Sequence, residues 1–162
     1  MTKLTAQDVM TQAVITVSPN SHVEDAAERM AHHRITGLPV LDESGSVVGM
    51  ISDFDVIGKH GRVVGDIMTT QVISVSPDTD LDEIGNILTG QRVRRLPVVL
   101  AGKLVGVVSR CDVIKRIAQR WTCGVCGALE RGPLTPAQCP SCSAEGSNFM
   151  LVDEPPMMYR DM

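Results

Sequence analysis

Two kinds of apolar spacing alternate along the first 120 residues. Short β-branched runs, VITVS at 14–18 and VISVS at 72–76, each end at Ser-Pro. A residue before proline is driven into extended backbone, so both runs predict strands that stop at a turn. Within SHVEDAAERMAHH, Val23, Ala26, Ala27, Met30 and Ala31 recur at the spacing of one helix face, and Ser21 with Glu24 has the form of a capping box. Leu81, Ile84 and Leu88 show similar spacing further on. GLPVLDESGSVVGMIS and RLPVVLAGKLVGVVS each set two apolar strands around a polar, glycine-containing turn, which predicts a hairpin. Ser52 and Ser109 then open second helices, with Val56 and Ile57, or Val113, Ile114 and Ile117, as their apolar positions.

The predicted order is strand, helix, strand, strand, helix, and it occurs twice. VMTQAVITVSPNSHVEDA returns as IMTTQVISVSPDTDLDEI and RITGLPVL as RVRRLPVV, both 58 residues on. VVGMISDFDVI returns as LVGVVSRCDVI after 57, because the second hairpin turn is one residue shorter. Three ordered matches at offsets of 58, 58 and 57 mark a duplicated unit. One copy of about 58 residues buries little surface alone. Two copies packed through their sheets share a core, and pseudo-two-fold packing leaves two equivalent clefts. The expected fold class is α+β: two β-α-β-β-α repeats at 1–60 and 61–119, a small metal-bound β-hairpin ribbon at 120–153, and a C-terminal tail at 154–162.

The V-M-T…V-x-P start, the L-P-V strand, the V-G-x-[IV]-S strand and the S-x-x-D that follows, in two copies, resemble a tandem pair of cystathionine β-synthase-type (CBS) domains over residues 5 to 118. The resemblance implies an adenosyl ligand (AMP, ADP, ATP, S-adenosylmethionine or NAD) in the inter-repeat clefts. It also implies that the pair forms a homodimer.

In Ser52-Asp53-Phe54-Asp55 and Ser109-Arg110-Cys111-Asp112, a serine at a helix start leaves N–H groups free for a phosphate. An aspartate one turn in offers two acceptors to ribose hydroxyls, which is how the family uses the pattern. The same S-x-x-D is also a plain N-capping arrangement that needs no ligand. Before Leu-Pro the copies differ: Thr36-Gly37 in the first, Arg94-Arg95 in the second. The arginine fork suits phosphate. If 92–95 is strand, Arg92 and Arg94 share a face. By family analogy the first cleft would hold Val14, Ile35 and Pro39 with Arg94, Arg95, Ser109 and Asp112. The second would hold Val72, Val93 and Pro97 with Ser52 and Asp55. The first is then expected to bind phosphates better. The apolar members are also expected core residues.

Composition changes this picture in three ways. Only Phe54, Trp121, Phe149 and Tyr159 are aromatic, so the core is aliphatic. No apolar run approaches the roughly 18 residues of a membrane span, and MTKLTAQDVM lacks the apolar stretch of a signal peptide, so no membrane partner and a cytoplasmic location are expected. The net charge is −4; residues 121 to 162 hold 2 Lys+Arg against 5 Asp+Glu, which makes that region a poor match for nucleic acid.

That acidic region contains WTCGVCGALERGPLTPAQCPSCSAEG. Cys123-x-x-Cys126 and Cys139-x-x-Cys142 are two knuckles that close a tetrahedron around one ion, and four thiolates suit Zn²⁺ or iron alike. In a reducing compartment such pairs are ligands rather than disulfides. The W-x-C-x-x-C-G, P-x-x-C-P-x-C, Phe149 and Val152 resemble the rubredoxin-type domain that ends rubrerythrins, where the site carries iron and passes electrons. Trp121 and Phe149 are expected to pack on each other or on the repeats. The four histidines show no metal spacing, Cys111 takes the place of Phe54, and no nucleophile–base–acid set can be assembled. The expected function is therefore regulatory: adenine-nucleotide binding between repeats, no enzymatic activity, and a ribbon that is structural or docks an unidentified protein. A nucleotide-gated electron carrier with iron at the cysteines is the alternative, and a nucleic-acid-binding ribbon a weaker third.

Overall fold

The computed structural model describes residues 3–152. It divides into two compact units, one running to Arg110 and one from Cys111. The tail expected at 154–162 lies outside the described residues.

The first unit orders its elements as α1 (Ala6–Val9), α2 (Val23–His33), β1 (Gly37–Leu41), β2 (Val47–Ser52), α3 (Asp53–Gly58), α4 (Val64–Ile67), α5 (Leu81–Gly90), β3 (Arg95–Leu100) and β4 (Lys103–Ser109). Both expected hairpins form, β1 with β2 and β3 with β4, antiparallel. Their registers slip at the same place, between Val40 and Leu41 and between Val98 and Val99. The Asp42 carboxylate closes the first turn by accepting from the Ser44 and Ser46 N–H groups at 2.9 Å each. Ala101 and Gly102, at φ 49° and 77°, close the second. Two consecutive left-handed residues match the twist of a two-residue hairpin loop.

Two expectations are corrected. VITVS and VISVS do not form full strands. Each contracts to one parallel bridge, Val17 to Val40 and Val75 to Val98. The Ser-Pro turn arrives before a second pair can form. Ser21 does not cap α2 either. His22 is the N-cap and makes no side-chain cap bond, while the Ser21 hydroxyl turns back to Ser18, 3.2 Å from its N–H.

The pseudo-two-fold arrangement is visible in the isolated bridges, which come in equivalent pairs. Thr5 bridges Asp80 as Val63 bridges His22, and Thr11 bridges Val107 as Thr69 bridges Met50. Each repeat's leading segment therefore pairs with the other repeat. Val64 and Ile67, from the second leader, are buried in the first repeat's core with Val17, Met30, Leu38 and Ile51. Full burial of such side chains contributes about 1.5–3 kcal/mol each, so the swap makes the two halves one cooperative body. Ala26 and Met30 of α2, and Leu81, Ile84 and Leu88 of α5, are buried as their spacing predicts.

The helix α6 (Arg110–Ile117) crosses the boundary between the units. The second unit continues with β5 (Arg120–Cys123), β6 (Leu129–Arg131), a 3₁₀ turn at Gly146–Asn148 and β7 (Phe149–Leu151). These strands make one antiparallel sheet in the order β6-β5-β7, one strand more than a hairpin. Phe149 is buried with Cys123 and Cys139, and Trp121 packs against that cluster. The indole N–H donates to the Gly132 carbonyl at 3.0 Å.

Candidate ligand pocket and metal centre

A cavity of about 490 Å³ opens in the first unit, within the range of small-molecule sites. Its apolar wall includes Val72, Ile73 and Val93; its polar wall includes Thr36, Ser52 and Asp55. Arg92, Arg94, Arg95 and Arg110 line it as well. Ser52, Asp55, Val72 and Val93 thus meet at one cavity. Pro97, expected with them, is fully buried in β3 and is not part of the wall.

Arg94 and Arg95, expected in the other cleft, line this one, which is a correction. The reason lies at the pseudo-axis. Arg95 occupies the position equivalent to Gly37, and its guanidinium donates to the Gly37 carbonyl and, at 2.8 Å, to the Thr36 hydroxyl. Residues at a two-fold axis meet their own counterparts, so assignment by repeat number fails there. The glycine is required: a β-carbon at Gly37 would lie 2.9 Å from the Ile51 carbonyl oxygen and 3.5 Å from Arg95 Nε. Arg92 and Arg94 do not share a strand face. Arg92 is left-handed at φ 54°, and β3 begins only at Arg95.

Of the remaining expected residues, Val14 and Ile35 are half-buried, and Ile35 packs on the first repeat's core. Pro39 is fully buried in β1. Ser109 ends β4, and Asp112 is half-buried in the first turn of α6.

Asp55 is the one buried acid among the described residues. Its Oδ2 accepts from the Ser52 N–H at 2.8 Å and the Ser52 hydroxyl at 2.7 Å; its Oδ1 pairs with Lys59 Nζ at 2.7 Å. Burial pushes this carboxyl up, but Lys59 and Ser52 outweigh it and hold it below the usual carboxylate range. The capping reading of Ser52-x-x-Asp55 is realised. Both oxygens already have partners, and α3 spans only six residues, so its end offers little dipole to a phosphate. The pocket residues that sequence reasoning passed over include Asp53, Phe54, Thr69, Gln71 and Arg110. Arg110 carried one usable signal, since it stands where the first copy has Asp53.

In the second unit the four Sγ atoms of Cys123, Cys126, Cys139 and Cys142 all lie within 4.8 Å of one another. Cys123 and Cys142 are 3.7 Å apart, as are Cys126 and Cys139. A tetrahedral ion at about 2.3 Å from each sulfur gives an edge of about 3.8 Å, so the residues fit a tetrathiolate metal. The knuckles are built alike. Cys123 N–H donates to Ala128 O and Cys139 N–H to Ala144 O, both at 2.8 Å. The turn residues Gly127 and Ser143 both have positive φ, 75° and 58°. N–H donation from Cys126 and Val125 brings the Cys123 thiol down to about 7. At Cys142 the Ala144 N–H pulls the same way, but hydrogen bonds with the other cysteines and partial desolvation carry the thiol up to about 12. Cys123 and Cys139 are buried; Cys126 and Cys142 are exposed.

The CBS domain family matches residues 6–60 and 64–119, and the chain belongs to that family. Residues 121–150 match the rubrerythrin, rubredoxin-like domain. Among curated relatives, the chloroplastic CBS domain-containing protein CBSX2 of Arabidopsis thaliana is 31% identical over 71% of this chain, which spans 64% of that protein's length. The CBS domain-containing protein YhcV of Bacillus subtilis is 34% identical over 66% of this chain and 81% of its own. Among solved structures, CBSX2 in complex with AMP matches at TM-score 0.66 and 36% identity over 68% of this chain and 93% of that one. The CBS domain pair of protein MJ0100, in complex with 5-methylthioadenosine and S-adenosyl-L-methionine, matches at 0.67 and 26% over 70% and 95%.

Proposed function

We propose that this protein is a regulatory module that binds an adenosyl ligand in the cavity of its CBS pair and performs no catalysis of its own. The observation that carries this reading is the cavity itself, where an apolar slot at Val72 and Val93 meets a cluster of arginines. An adenine suits the slot and a phosphate the arginines. AMP and S-adenosylmethionine bound to the related pairs support the same reading. Calorimetry with AMP, ADP, ATP, NAD and S-adenosylmethionine tests it: saturable binding below millimolar is expected, and no binding by any of them would refute it.

In the domain organisation we propose, repeats at 1–60 and 61–119 form the sensor, and 120–153 is a metal ribbon that is structural or docks a partner. Cys123, Cys126, Cys139 and Cys142 would hold Zn²⁺ or iron. Bound metal would cross-link a unit too small to hold a core by packing alone. Exposure of Cys126 and Cys142 favours a second reading, electron transfer through iron. A red protein with one iron per chain supports that reading; stoichiometric zinc from iron-replete cells contradicts it.

A homodimer is also proposed. Ile57 of α3 is 84% exposed and its counterpart in the second repeat, Ile114 of α6, 62%, apolar surface that a second copy would cover. Light scattering would show a mass twice 17.4 kDa. No helix among the described residues is long and apolar enough to cross a membrane, and we place the protein in the cytoplasm.

A further inference from the structure

The cavity's charge runs against that of the chain. The protein carries −4 overall, yet four arginines face two aspartates around this wall. The arginines are not equivalent. Arg110 donates to the Val93 and Leu88 carbonyls at 3.0 and 3.3 Å, and Arg95 to Gly37 and Thr36. Both hold the walls together. Arg92 is exposed and, among the described residues, its side chain has no hydrogen bond or ion pair. Arg94 lies 4.9 Å over the Phe54 ring and reaches Asp53 at 3.3 Å. That is longer than the roughly 2.7–2.9 Å of a tight charge-assisted bond.

The acids divide as well. Asp55 is compensated by Lys59 and Ser52. Among the described residues, the Asp53 carboxylate has only the loose Arg94 pair and its bond from the Phe54 N–H. A phosphate approaching Arg94 therefore competes with the Asp53 carboxylate for the same guanidinium. A cationic ligand group meets Arg92 and Arg94, and of the two acids on the wall Asp55 is already compensated by Lys59 and Ser52.

Resting on the adenosyl-pocket reading, we propose that this cavity ranks its ligands by negative charge. Arg92 and Arg94 take the phosphates, and Asp53 is the built-in competitor that a phosphate displaces from Arg94. The preferred class is then adenosine polyphosphates, ahead of AMP, with uncharged adenosine weaker and the sulfonium cation S-adenosylmethionine no better than adenosine. Every added phosphate also strengthens the salt dependence, because the contacts are exposed and screened.

The test is calorimetry on the full chain with ATP, AMP, adenosine and S-adenosylmethionine, at low and high salt. Affinity should rise about tenfold or more from adenosine to ATP, and that gap should narrow in high salt. Arg94→Ala and Arg92→Ala should flatten the series. Asp53→Asn should raise the ATP-to-adenosine affinity ratio about threefold, a gain that misfolding cannot mimic. S-adenosylmethionine binding as tightly as ATP would overturn the ranking, and an unchanged ratio in Asp53→Asn would overturn the competitor role of Asp53; either result leaves the pocket reading intact. Failure of all four ligands would overturn both.

Discussion

The sulfur of Met68 covers Gly49 so closely that a β-carbon there would lie 2.6 Å from it, and Met10 covers Gly106 in the same way at 2.5 Å. Each methionine comes from one repeat's V-M-T or I-M-T leader and each glycine from the other repeat's V-G-x-[IV]-S strand. Two motif elements that look independent in the sequence are two sides of one contact.

Alanine at Gly49 or Gly106 should therefore destabilise the sensor, by about 1–3 kcal/mol each. Urea denaturation would show a lower midpoint at unchanged slope. Shortening the opposing methionine, as in Gly49→Ala with Met68→Ala, should cost less than the sum of the single changes. Strict additivity would contradict the contact.

Asp55 links the pocket to stability. Its carboxyl is held below its ordinary 3.8, so the stabilisation is fully present above that value and is lost as pH falls through the lower folded value. Asp55→Ala should cost about 1–2 kcal/mol at neutral pH through the lost cap and ion pair. The gap between the two proteins should close below about pH 4. Melting curves across pH check both parts.

Metal binding should release protons. A Cys142 thiol near 12 is protonated at neutral pH and must give up that proton to become a ligand, whereas Cys123, near 7, is already partly thiolate. Titration of the metal-free protein with Zn²⁺ in buffers of different ionisation enthalpy measures the count. Affinity should fall as pH is lowered. Stripping the metal should abolish amide protection at Cys123 and Cys139 while Leu38 and Leu96 remain protected.

The two knuckles differ at one turn. Gly127 and Ser143 both have positive φ, which costs an L-residue with a β-carbon roughly 1–2 kcal/mol. Gly127→Ala should weaken metal retention against a chelator, and Ser143→Gly should leave it equal or better. The opposite order would contradict the assigned geometry.

Much of this was legible from spacing alone: both hairpins, the buried faces of α2 and α5, the duplication and the clustering of four cysteine sulfurs. Local pattern failed where tertiary pairing decides. VITVS looks like a strand but finds only one partner residue, at Val40, before its proline turn. Ser21 has the form of a cap, but its carbonyl accepts from Val64 N–H at 2.8 Å and its hydroxyl faces Ser18, so His22 begins the helix. The site was half legible. Residue types were identifiable, but cleft membership was not, because Arg95 meets its own counterpart Gly37 at the pseudo-axis. Asp53 and Arg110 escaped notice because helix-cap patterns carry no sign of what lies across the repeat.

The most direct measurement is an amide chemical-shift map of the labelled protein titrated with ATP. Perturbations concentrated at Thr36, Val72, Val93 and Arg94, saturating together and absent with inorganic phosphate alone, are predicted. Shifts confined to residues outside this cavity, or none at millimolar nucleotide, would contradict the account.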